Sequence, residues 1–152
     1  MSFQERRTIL YIGSFILISA FYAMIVFQKL NQLDVSADPG PERLLKFWGT
    51  VLVLFVLIQI VGRILVHIIL AVITAALGER DEDEIVDELE RLVDLKATRN
   101  GSTAFMIGFF LSMGSLMLGA GPALMFKLLF GSLIACGIVG DVSKLWFYRR
   151  GI

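Results

Sequence analysis

The stretch IQIVGRILVHIILAV, residues 58–72, places an arginine and the chain's one histidine inside a run with no other charge. It lies within a longer apolar run from Leu44 to Leu77. At a rise of 1.5 Å per residue that run spans about 51 Å as a helix, against about 30 Å for a hydrocarbon core. A helix of this length in a bilayer must tilt, bend near Gly62 or project at one end. An arginine at the centre of a span costs roughly 2.5–3.5 kcal/mol, and each leucine, isoleucine or valine returns about 0.3–0.6. The many aliphatic residues here outweigh that cost, so the segment still inserts.

Gln59, Arg63 and His67 recur every four residues and share one helical face, with Thr74 near the same line. Two readings of this stripe stay open. In one it lines a water-accessible or proton-linked site, histidine being the side chain whose charge changes nearest neutral pH. In the other the span is displaced, and Arg63 reaches lipid phosphate or carbonyls at the inner boundary.

The rest of the chain agrees with a lipid environment. Of 152 residues, 57% are hydrophobic and 18% charged, and the mean hydropathy is +0.77. Soluble domains average about 45–50% apolar and about 25% charged. Fourteen basic residues balance fourteen acidic ones, which gives no nucleic-acid signature. The single cysteine, Cys136, excludes an intramolecular disulfide and any multi-cysteine metal site. Glu5-Arg6-Arg7 leads into an apolar segment long enough to span, without a convincing cleavage site.

Four spans are expected, at about 8–28, 44–77, 103–118 and 122–143. A loop, QKLNQLDVSADPGPERLLK, carries Pro39-Gly40-Pro41 between the first two and cannot continue a helix. The turn Gly119-Ala120-Gly121-Pro122 joins the last two as an antiparallel hairpin. Between spans two and three the spacing predicts an amphipathic helix over about 79–99. Its apolar stripe is Ile85, Val86, Leu89, Leu92 and Val93, Asp87 and Arg91 add an i, i+4 pair, and Asn100-Gly101 is a stop signal. With the N-terminus inside, nine basic residues fall on the inner face (Arg6, Arg7, Arg80, Arg91, Lys96, Arg99, Lys144, Arg149 and Arg150). Three fall outside: Lys29, Arg43 and Lys46. The bias predicts cytoplasmic termini and a cytoplasmic acidic helix. Trp146, Tyr148, Arg149 and Arg150 make an interfacial anchor.

The string ELERLVDLKATRNG, residues 88–101, and the ending WFYRRG, residues 146–151, resemble a family of small bacterial inner-membrane proteins defined as a domain of unknown function. Its marks are an acidic inner loop, a Leu-Lys or Leu-Arg pair followed by Ala-x-Arg, and an aromatic-Tyr-Arg-Arg-Gly end. The resemblance covers the C-terminal half. It implies a four-span protein of the inner, plasma membrane and carries over no catalytic residue.

Asp141 is the one carboxylate in or beside the C-terminal spans, near the inner end of span four. Span two runs inward as well, so Arg63 or His67 can meet Asp141 as an ion pair; the alternative is that Asp141 reaches water beside Lys144. Lys127 is expected to snorkel at the outer end. Eight carboxylates fall between Glu79 and Glu90, Glu84 and Glu88 among them, without the spacing of a calcium loop, and no metal is expected there. Repelled by the anionic leaflet, this helix is expected to leave Ile85, Leu89 and Leu92 for a cytosolic protein partner or for its own copy in a homo-oligomer.

Gly101, Gly108, Ser112, Ser115 and Gly119 make a small-residue face on span three, and Ser132, Cys136 and Gly140 make one on span four. Such faces let helices approach closely in lipid. One histidine and one lone intramembrane carboxylate assemble no Ser/His/Asp set, and there is no phosphate loop. The expectation is therefore an all-α, four-span membrane protein without cofactor or enzymatic activity, structural or regulatory in role. The alternative is a small oligomeric transporter or channel using the Gln59, Arg63 and His67 stripe.

Overall fold

The computed structural model describes residues 3–35, 40–77 and 85–150 of the chain. They form four α-helices: α1 Phe3–Val35, α2 Pro41–Leu77, α3 Ile85–Met117 and α4 Pro122–Arg150. Three are long and apolar enough to cross a membrane, over Thr8–Gln32, Pro41–Ile73 and Pro122–Arg150. Their outward surface is greasy along its length; Leu17, Phe21, Leu57, Ile69 and Leu124 all stand exposed. Few side chains are buried; the apolar core cluster gathers along α1, α2 and α4, and Val93, Ala97, Ser112 and Ser115 are buried on α3.

The helix boundaries differ from the sequence reading in three places. The loop expected over residues 28–46 is mostly helix. α1 continues to Val35 because Leu30 is buried against Trp48 and Val51, so packing rewards the extra turns. α2 begins at Pro41, and Gly40 accepts from the amides of Arg43 and Leu44. Proline at the first helical position loses no hydrogen bond, since that amide lacks an intrahelical partner. α4 starts the same way, with Gly121 accepting ahead of Pro122.

The second difference lies at Asn100-Gly101, expected to end the amphipathic helix. Instead α3 passes straight through, so the described part of that helix and the segment expected as the third span form one rod; α3 is not among the helices long and apolar enough to cross a membrane. Gly101 is there for proximity rather than for a left-handed cap. A Cβ on it would lie 2.8 Å from the Cys136 carbonyl oxygen. Asn100 donates to Ser143 Oγ at 3.1 Å instead of capping its own backbone. Residues 79–84 of the expected amphipathic helix lie outside the described residues.

The third correction concerns Gly119, assigned above to the packing face of span three. It lies beyond the end of α3, with φ of 79°. Its amide donates to Leu116 and the Ala120 amide to Ser115, the paired bonds of a Schellman cap. A residue with a Cβ is strained in that conformation, so glycine serves the turn and not the helix face.

α4 is the organising helix. α3 packs along one side of it and α1 along another, while α2 rests on α1 and touches α4 lightly. The α3–α4 seam is built from small residues. A Cβ on Gly108 would collide with Ser132, Ser112 is fully buried and donates to the Met125 carbonyl, and Ser115 donates back to Ser112. α2 is one continuous helix through Gly62, where α1 comes close enough that a Cβ would meet Ile18 Cδ1 at 2.8 Å.

Candidate functional site: a polar cleft at one end of the bundle

The antiparallel pair α1–α2 aligns two stripes with a four-residue period. Gln59 Nε2 donates to Ser19 Oγ at 2.8 Å; four residues on, the Arg63 guanidinium lies 5.8 Å from the Phe15 ring centroid. Four more bring His67 Nδ1 to 3.0 Å from the Tyr11 hydroxyl. Each step along α2 is answered by an equal step back along α1; Gln59 is buried in this contact, whereas Arg63 and His67 reach α1 while remaining exposed. Phe15 in turn seats on Gly137 of α4, where any Cβ would run into the ring.

Arg63 also spans to α4. One guanidinium nitrogen, Nη2, donates to both oxygens of Asp141, at 3.1 and 3.2 Å. The pair is asymmetric: the Arg63 side chain is 54% exposed and that of Asp141 is 12% exposed. Asp141 supplies the buried anchor, and Arg63 reaches to it from the outer surface of α2. The pair joins α2 to α4.

Below this pair the polar half of α3 meets the end of α4. Lys144 is paired with Asp94, and Lys96 sits over the Phe147 ring at 5.7 Å. Arg150 stacks on Trp146 at 4.4 Å. Val93 and Ala97 are buried on this side of α3, whereas Leu92 and Leu95 face outward. The two segments that carried the family resemblance thus pack against each other.

Between these walls lies a cleft of about 530 Å³ to which all four helices contribute. Arg63, Glu90, Asp94, Asp141 and Lys144 supply its charged groups, and His67 lies among them. Cys136 lines the wall as a small residue against Gly101, on the α3–α4 seam. The arrangement suits recognition of a polar or amphipathic group by paired charges.

Of the residues singled out in the sequence, the structure brings together Arg63 and Asp141 directly, and places Gln59 and His67 on α1 rather than on each other. Gly108, Ser112 and Ser115 pack on α4. Leu92 and Glu88 are exposed on α3; the side chains of Thr74, Ile85 and Leu89, and all of Glu84, lie outside the described residues. Lys127 is exposed near the start of α4. Tyr11, Ser19 and the Asp94–Lys144 pair escaped the sequence reading. The four-residue spacing of Tyr11, Phe15 and Ser19, the antiparallel counterpart of the α2 stripe, was the signal that could have found the first two.

Comparison with family models, with curated proteins and with solved structures returns no match for this chain.

Proposed function

We propose that the chain is a four-span protein of the bacterial inner membrane with cytoplasmic termini, structural or regulatory in role. It offers the polar half of α3 to a cytosolic protein or to a second copy of itself. The observation that carries this reading is the unbroken α3. Its apolar half, residues 101–117, is about 25 Å long and wedged on α4, and its other half continues as a charged rod. Leu92 and Leu95 are exposed on that rod while Val93 and Ala97 hold it to α4. Whatever docks on the outer face is then rigidly coupled to α4, and through Asp141 to α2.

A transporter or channel is less well supported. Gln59, Arg63 and His67 each have a partner within the bundle, as expected of groups that fasten helices rather than line a continuous aqueous path. The two readings separate by mutation. Replacing Leu92 and Leu95 together by glutamate should reduce the protein mass measured by light scattering in mild detergent, or release a defined co-purifying subunit. Membrane insertion should be unchanged. Solute flux in proteoliposomes that vanishes in Arg63→Leu and His67→Ala, with the leucine pair silent, would favour the transporter.

A further inference from the structure

Three helices turn polar at a common level. α1 has no charge between Arg7 and Lys29, α3 none after Arg99, and α4 none between Lys127 and Asp141. Arg7, Arg99 and Asp141 therefore mark one boundary. α2 does not respect it. Beyond Arg63 it carries no Asp, Glu, Lys or Arg up to Leu77 and only His67 and Thr74 as polar residues, with Ile64, Ile68 and Ile69 exposed, and the stretch from His67 to Leu77 covers about 15 Å. The cleft consequently has one wall continuous with an apolar helix surface and opposite walls bearing charge.

The charges inside are unevenly used. Asp141 occupies one guanidinium nitrogen of Arg63; the remaining donors, Nε and Nη1, make no hydrogen bond among the described residues, and the side chain is half exposed. Lys144 is taken by Asp94. Glu90, half-buried on α3, has no cationic partner among the described residues. Two cations (Arg63 and Lys144) face three carboxylates (Glu90, Asp94 and Asp141) in the lining, so the cleft as a whole repels a simple anion. The unused groups are a planar donor suited to phosphate and an acceptor suited to an ammonium.

We infer that this cleft binds the headgroup of an aminophospholipid, its phosphate at the free donors of Arg63 and its ammonium at Glu90, with the acyl chains along the apolar end of α2. The ammonium hydrogens matter. A trimethylammonium cannot donate to Glu90, and an anionic headgroup brings no cation to it. The cleft should therefore select ethanolamine over choline and glycerol headgroups. This rests on the membrane-embedded reading above but not on the docking role of α3.

Lipid retention by the full chain, followed by native mass spectrometry in detergent, tests the inference with dioleoyl phosphatidylethanolamine, phosphatidylcholine and phosphatidylglycerol. Wild type should hold the ethanolamine lipid about tenfold more tightly than the other two, the contribution of one charge-assisted hydrogen bond. Glu90→Gln, which keeps the shape of a half-buried side chain that makes no described ion pair, should erase that preference. Arg63→Lys should weaken all three. Equal retention of the three lipids by wild type would overturn the inference, as would an undiminished preference in Glu90→Gln. So would displacement of the lipid by equimolar water-soluble glycerophosphoethanolamine, which would assign the site to a free phosphoamine. A chain that inserts in nanodiscs without headgroup preference sinks this inference alone. One that stays soluble without detergent sinks the membrane reading with it.

Discussion

The two ends of the bundle are closed by different physics. At the end holding the α1–α2 connection, Trp48 is fully buried and stacks on Phe126, with ring planes 8° apart and centroids 5.9 Å apart. Phe55 and Phe130 meet edge-on at 5.1 Å, and Tyr22 packs on both while donating to the Val51 carbonyl at 2.8 Å. Aromatic side chains from α1, α2 and α4 fill that end. At the other end the same three helices, joined by the polar half of α3, are held by ion pairs and hydrogen bonds around a cleft. In lipid, where apolar surface gains little by leaving its solvent, dispersion and polar contacts carry helix association. The aromatic end relies mainly on the first, and its buried Trp48 indole nitrogen has no hydrogen-bond partner among the described residues; the polar end relies on the second and opens into a cleft beside the half-exposed Arg63.

The largest expected effect lies at the aromatic end. Trp48→Ala removes the ring that joins α2 to α4 there and should cost about 3–5 kcal/mol, read as a lower unfolding midpoint in detergent. A shift no larger than that of a lipid-facing change such as Leu57→Ala would mean that the cluster does not close this end.

At the polar end Asp141→Leu strands a half-exposed guanidinium and should cost about 2 kcal/mol, less than for a wholly buried pair because Arg63 reaches solvent or headgroups. The double variant Arg63→Leu/Asp141→Leu should recover most of that loss, since neither charge is then left alone. Additive losses in the cycle would show that the two side chains do not interact. The smallest effect belongs to Gln59→Leu, which leaves the buried Ser19 hydroxyl without its donor. Interhelical hydrogen bonds in membranes are worth about 0.6 kcal/mol on average, so unfolding should move by no more than about 1 kcal/mol. A larger loss would promote the Gln59–Ser19 contact from a minor fastening to a main one.

Much of the helical content was legible because the apolar runs are long and Gly-Pro marks the start of both α2 and α4. The small residues of span three announced its seam with α4 through their spacing. What could not be read was the outcome of competition between local and tertiary signals. Asn100-Gly101 is a good helix stop by local chemistry, yet Ser143 and the Cys136 carbonyl use both residues in passing. Gly119 fits the small-residue spacing but is claimed by the turn. Likewise the α2 stripe shows its polarity in one dimension, while its partners Ser19, Phe15 and Tyr11 appear only once the antiparallel register of α1 is fixed.

The central claim is that the two ends lie on opposite sides of the membrane, with the aromatic end outward and the cleft and polar rod of α3 inward. Single cysteines at Lys46 and at Leu95, each in a Cys136→Ser background, test it through labelling of intact and permeabilised cells with a membrane-impermeant maleimide. Lys46→Cys should label in intact cells, and Leu95→Cys only after permeabilisation. Labelling of Leu95→Cys in intact cells would contradict the proposed orientation, and failure to label it in permeabilised cells would contradict its exposure on the rod.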